Sequence, residues 1–131
     1  MFGGDPSITT AVEIMNDTGS NIQTVLLIDL AALQYNPLTY LGDLGAYPIE
    51  TANGIAYWQQ IMIEMQIIKL DGTSITGWFE EVAAIFPGTG AQYRLSGDAM
   101  RNHLYFATAP GNATLFVAVK KNGLMSQLPI V

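Results

Sequence analysis

The clearest pattern in the chain lies near its middle, where Ile61, Ile63, Met65 and Ile67 alternate with polar Glu64 and Gln66. A period of two predicts a β-strand with one buried face. Asp71-Gly72 comes next, and both positions tolerate the positive φ of a tight hairpin turn. The return strand is expected over 73–85, through Trp78 and Phe79. A second hairpin tip is predicted at Asn53-Gly54, joining strands over 47–51 and 55–60. Two hairpins that share one long strand argue for an antiparallel, all-β domain.

Weaker patterns fill in the rest. Residues 8–15 are rich in β-branched side chains and alternate loosely, which predicts a first strand. The continuous apolar run 24–28 fits a short strand buried on both faces. Asp29 then caps a single helical turn over 29–33, and Pro37, Gly42 and Gly45 mark 34–45 as loop. One helix is expected over 98–107, with Met100, Leu104 and Ala107 at helical spacing and Asp98 as its cap. Pro110-Gly111-Asn112 turns the chain into a last strand over 114–119. Asn122-Gly123 reads as a further turn, and the apolar tail 124–131 is expected to be paired with something rather than left free.

Composition sharpens this. Half the residues are hydrophobic and 12% are charged, about half the charged share of an average domain. Such a chain is not disordered, and a surface so poor in charge leaves apolar area for a partner or a second copy. Its 131 residues make a single domain over 1–131, since a domain takes roughly 150 residues. Residues 1–7 are expected to be a flexible or cut edge. Asp29, Glu64, Gln66, Glu80 and Glu81 interrupt the apolar runs well short of the ~18 residues of a membrane span. A net charge of −6 with only five Lys and Arg leaves no footprint for a phosphate backbone, so nucleic acid is not a partner. There is no cysteine and one histidine, His103. Neither a disulfide framework nor a thiolate metal site can form, and no metal or organic cofactor is expected. The opening Met1-Phe2-Gly3-Gly4-Asp5-Pro6 has neither the basic region nor the apolar stretch of a secretory signal. With the missing cysteines, this points to an intracellular, cytoplasmic protein.

Asp17-Thr18-Gly19-Ser20 is the segment that carries candidate chemistry. Taken alone it fits an Asx-type turn, in which Asp17 caps its own backbone and Gly19 takes positive φ. Its surroundings add to this. The motif follows one expected strand, precedes an apolar one and lies ahead of the hairpin tipped by Asn53-Gly54. Much later come Tyr93-Arg94-Leu95-Ser96-Gly97, the expected helix and the last strand.

That order resembles the retropepsin-like aspartic proteases. Their subunit runs strand, Asp-Thr/Ser-Gly-Ala/Ser, strand, flap hairpin, long strands, apolar-apolar-Gly, helix and terminal strand. The resemblance covers nearly the whole chain, from about Ile8 to Val131, and the last third from Tyr93 looks like retropepsin-like domains in fungal proteins. The length fits one such subunit and is too short for a two-domain pepsin-type chain. Three positions depart from the pattern. Asn16 stands where an apolar residue usually precedes the Asp, Ser96 interrupts apolar-apolar-Gly, and Asp98 follows Gly97.

The resemblance implies a closed, barrel-like all-β subunit with a flap hairpin and one short helix. It implies a homodimeric aspartic endopeptidase whose active site forms at the two-fold axis from one Asp17 per copy. Thr18 would lock the two loops across the axis, Gly19 would bring its N–H to the carboxylate, and Ser20 would offer its hydroxyl to the outer carboxylate oxygen. Asn53 and Gly54 would tip the flap over an extended peptide substrate. Two carboxylates ~3 Å apart cannot both ionise, so the pair shares a proton. The charged one activates water while the protonated one donates to the scissile carbonyl. The alternatives are a non-catalytic dimerisation module with the same fold, and a monomeric β-barrel that binds small apolar ligands. Elsewhere, Glu80 and Glu81 are strand neighbours that face opposite sides and read as a solvated pair. His103 has no carboxylate three or four residues away and reads as a surface or cap-site histidine. Trp58 and Tyr57, beyond the flap tip, are candidates for a substrate groove or for packing under the flap.

Overall fold

A computed structural model describes residues 2–17, 19–90 and 93–129. The elements run β1 (Gln23–Val25), α1 (Leu27–Ala32), β2 (Asp43–Thr51), β3 (Gly54–Met65), β4 (Phe79–Ile85), α2 (Gly97–His103), β5 (Tyr105–Thr108), β6 (Leu115–Ala118) and α3 (Lys121–Met125). The chain is thus mostly β. One sheet has the order β1-β4-β3-β2, and β5 with β6 forms a separate hairpin.

The long strand β3 organises the larger sheet. It pairs antiparallel with β2 on one side and with β4 on the other, as its alternation requires. Ile61 and Met65 point into the core at 2% and 9% exposure. Ala83 lies opposite Ile61, and it and Ala84 are fully buried, small enough for neighbouring layers to approach closely. Ile61, Ala83, Val25, Ile85 and Leu30 form the central cluster, against which Tyr35, Tyr40 and Ile63 pack. β1 joins β4 in parallel, Thr24 beside Ala84. Pro48 lies on the edge strand β2, where a residue without an N–H costs no ladder bond.

Both hairpin tips are present, each slightly displaced. Thr51 pairs with Gly54, so Ala52-Asn53 form the tip and Gly54, at φ +110°, opens the outgoing strand. The turn at Asp71-Gly72 runs from Lys69 to Thr73 and has Gly72 at φ +86°. Regular pairing of β4 begins at Phe79, not at residue 73. Between them lie an isolated bridge from Ile68 to Ser74 and a hydrogen bond from Ile67 N–H to the Thr76 hydroxyl.

Other expectations are corrected. The sheets do not close into a barrel. The outer side of β1 bonds to Leu95 instead of a long strand, and residues 8–15 form no strand that would join the two sheets. Of that segment only Met15 makes a bridge, parallel to Leu95, while 9–13 are exposed. Among the described residues there are three short helices, where one helix and one helical turn were expected. α1 starts at Leu27 rather than at Asp29, whose carboxylate lies in the first turn and accepts the Leu26 N–H at 2.9 Å. α2 ends at His103, because Tyr105 and Phe106 pair with Ala118 and Val117 instead of continuing the helix. Asp98 does not cap α2; it forms an ion pair with Arg101. The tail begins on a helix, since α3 absorbs Asn122-Gly123 and buries Leu124, and residues 126–129 follow it in turns without a strand. Gln127 then ties back to the Val117 carbonyl at 3.1 Å. Ile130 and Val131 lie outside the described residues.

Candidate functional site

Met15 and Thr24, on either side of the Asp17 loop, both bond to one segment, residues 94–96. Met15 N–H donates to the Arg94 carbonyl at 2.7 Å, and Ser96 N–H donates to the Met15 carbonyl at 3.0 Å. On the other side, Thr24 N–H donates to the Leu95 carbonyl at 3.0 Å, and Leu95 N–H donates to the Thr24 hydroxyl at 2.7 Å. Segment 94–96 is therefore threaded between the start and the end of the loop. It thus supplies the Met15 N–H and carbonyl with the backbone partners that a neighbouring strand would otherwise provide.

Asp17 sits on this loop, half-buried. Its Oδ1 accepts the Gly19 N–H at 2.9 Å, and its carbonyl accepts the Ser20 N–H at 3.4 Å. Asp17 thus caps its own backbone, as expected of an Asx turn, and the Gly19 N–H lies on the carboxylate. Gly19 is crowded there, because a Cβ would lie 3.3 Å from Asp17 Oδ1. Ser20 differs from its expected role. Its hydroxyl donates to the Ile22 carbonyl at 3.0 Å and accepts the Ile22 N–H at 3.3 Å. Thr18 lies outside the described residues.

A cleft of about 360 Å³ opens beside the loop. Ser20, Ile22 and Thr24 form its floor, while Ile49, Glu50, Thr51 and Trp58 from the β2–β3 hairpin form its roof. Phe86, Tyr93 and Leu95 complete it. Trp58 meets Phe86 edge-on with centroids 5.1 Å apart, which fixes the indole against the wall. Of the two aromatic residues expected near the groove, Trp58 lines it and Tyr57 is 72% exposed. Asn53 and Gly54 stand in solvent at the hairpin tip, and the stem below them makes the roof. A second cleft, also about 360 Å³, borders Asn16 on one side and Phe106, Thr108 and Asn112 on the other.

Two arginines fasten this region. Arg94 makes two hydrogen bonds to Asp29, Nε to Oδ2 at 2.8 Å and Nη2 to Oδ1 at 2.7 Å. Burial pushes the Asp29 carboxyl up, but the Arg94 hydrogen bonds, the Leu26 N–H and the guanidinium charge outweigh it and hold the group below the usual carboxylate range. The same hydrogen bonds raise Arg94, against its own desolvation. On α2, Arg101 Nη2 donates to the Ser20 carbonyl at 2.7 Å. Sequence reasoning missed both arginines. A local signal existed only for Arg101, whose partner Asp98 is three residues earlier on the same helix.

His103 is the last residue of α2 and lies at the surface, as expected. It stacks on Phe79 at 4.0 Å, with Nε2 3.6 Å from Glu81 Oε2. The fold brings the acid from β4. Glu81 is therefore half-buried, whereas Glu80 faces solvent beside Glu64 of the paired strand. Among the described residues, no group of three or more His, Cys, Asp or Glu side chains is placed to hold a metal ion. No helix among them is long and apolar enough to cross a membrane. Neither a protein-family model, nor a curated protein, nor a solved structure matches the chain.

Proposed function

We propose that the chain is one subunit of a homodimeric aspartic endopeptidase of retropepsin type, acting in the cytoplasm on extended peptides. The observation that carries this reading is the Asp17 loop, bonded on both sides to segment 94–96 and meeting at Ser20 an apolar cleft under a β-hairpin. An extended peptide fits such a cleft by strand-like hydrogen bonds, with side chains alternately entering it. The chain carries one Asp-Thr-Gly-Ser motif. Peptide hydrolysis needs a base for water and an acid for the carbonyl, so the second carboxylate comes from a second copy.

In the dimer the two Asp17 groups share one proton. The ionised carboxylate takes a proton from water as the oxygen bonds to the scissile carbon. The protonated one donates to the carbonyl oxygen, giving a tetrahedral diol. Collapse of the diol breaks the C–N bond: one hydroxyl gives its proton to the ionised carboxylate, and the amine leaves with the proton of the protonated one, so the pair again shares one proton. The Gly19 N–H holds the charged oxygen in place throughout.

A second reading is a dimerisation module without cleavage. It draws on Ser20, whose hydroxyl is bonded to the Ile22 peptide and not to the Asp17 carboxylate. Sedimentation velocity and peptide cleavage on one dilution series separate the readings. A protease of this kind sediments at twice the chain mass and loses specific activity as dilution splits it. A silent dimer shows the same sedimentation with no cleavage, and cleavage by a monomer at every dilution overturns the two-copy site.

A further inference from the structure

The geometry points to Arg101 as a positioning residue that sets the place of the Asp17 loop through the Ser20 carbonyl. The inference rests on the assignment of Asp17 above, but its observations are separate.

The loop from Asp17 to Ile22 is held inside by short-range bonds: Gly19 N–H to Asp17 Oδ1, Ser20 N–H to the Asp17 carbonyl, and Ile22 N–H to the Ser20 hydroxyl. These bonds are local and do not themselves tie the loop to the rest of the molecule. Its two arms are anchored at Met15 and Thr24, several residues from the carboxylate. Between those anchors Arg101 reaches in from α2, with Nη2 2.7 Å from the Ser20 carbonyl. A guanidinium on a backbone carbonyl is a charge-assisted bond with a directional donor. Asp98, one helical turn back, pairs with the same guanidinium nitrogen and fixes its rotamer. α2 packs closely on the loop, because Gly97 at its start lies against the Ile22–Gln23 peptide with no space for a side chain. The charge of Arg101 also lies three residues from Asp17 along the chain, through the Ser20 carbonyl.

Arg101 is thus the arm by which a rigid helix places the loop. Its removal should leave the cleft, and so the binding of peptide, largely intact, while displacing the carboxylate. In the full chain, Arg101→Ala is expected to lower kcat about tenfold or more with KM little changed, the factor of one charge-assisted hydrogen bond. Arg101→Lys, which keeps charge and a donor, should recover most of that loss.

Hydrogen exchange gives a readout that does not depend on cleavage. The amides of Gly19, Ser20 and Ile22 should exchange about tenfold faster in Arg101→Ala, with the β3–β4 amides unchanged. If the parent protein does not cleave, the protease reading fails and the exchange result alone decides the role of Arg101. Unchanged loop exchange overturns the inference, as does faster exchange throughout the sheet. So does a kcat that falls equally in Arg101→Lys and Arg101→Ala.

Discussion

Gly97 lies so close to Ile22 that a Cβ on it would stand 2.1 Å from the Ile22 carbonyl carbon and 2.3 Å from the Gln23 nitrogen. Its φ of +52° adds a second constraint, since side chains disfavour that region. The clash is with backbone, so no side chain can move to relieve it. Gly97→Ala must therefore push α2 away from the Asp17 loop. A loss of about 3 kcal/mol or more is expected in urea unfolding. Gly45→Ala, also at positive φ but with nothing near its Cβ position, should cost about 1 kcal/mol.

The Asp29–Arg94 pair makes a prediction in pH. The folded carboxyl of Asp29 lies below its unfolded value, so between the two values the unfolded chain binds more protons. Its contribution is complete above about pH 4 and is lost as pH falls through the lower, folded value. Melting temperature recorded from pH 5 to pH 2 should drop more steeply for the parent than for Asp29→Asn. At neutral pH Arg94→Ala should cost about 2–3 kcal/mol, because it leaves a carboxylate with 7% side-chain exposure without its counter-charge. Equal slopes for parent and Asp29→Asn would show that the pair does not titrate with folding.

Much of the larger sheet was legible in the sequence because its signals are local. The alternation from Ile61 to Ile67 specifies a face, and Asp71-Gly72 and Asn53-Gly54 specify reversals within a few residues of their structural places. The segment 8–15 misled because β-branched residues favour an extended backbone without supplying burial, and a strand needs a partner. At Asn122-Gly123 the turn signal misled for the converse reason: the pair lies inside a short helix whose Leu124 finds burial against the small hairpin. The candidate loop was legible at Asp17 and Gly19, whose bond spans two residues. Its supports were not, since Arg94 and Arg101 act on residues 65 and 81 positions away, distances at which spacing carries no signal.

Trp58 reports directly on the cleft. The chain has two tryptophans, and Trp78 is 59% exposed. Trp78→Phe leaves Trp58 as the sole indole, whose emission should shift to the blue when a peptide inhibitor enters the cleft and excludes water. Trp58→Ala should raise KM about tenfold with a smaller effect on kcat, because it removes wall and not carboxylate. An unchanged KM places the substrate elsewhere.

Deletion of residues 128–131 separates the tail from the fold. Leu124 stays, keeping its 7% exposure against the small hairpin, and so does Gln127 with its bond to Val117. If the apolar end pairs with a second copy, each buried aliphatic side chain lost removes roughly 1.5–3 kcal/mol from association. Sedimentation should show a weakened dimer from a subunit that remains folded by circular dichroism. A folded deletion variant with the dimer strength of the parent places the interface elsewhere.

The central claim is that Asp17 supplies the reacting carboxylate from each of two copies. Asp17→Asn nearly preserves shape and the acceptor for the Gly19 N–H while removing both ionisable groups. The direct measurement is cleavage of a peptide library at acidic pH by parent and variant at matched dimer concentration, with and without a statine-type inhibitor. The parent should cleave and be inhibited, and Asp17→Asn should sediment as a dimer and cleave nothing. A variant that cleaves as fast as the parent would contradict the assignment of Asp17, and a parent that cleaves nothing under these conditions would contradict the protease itself.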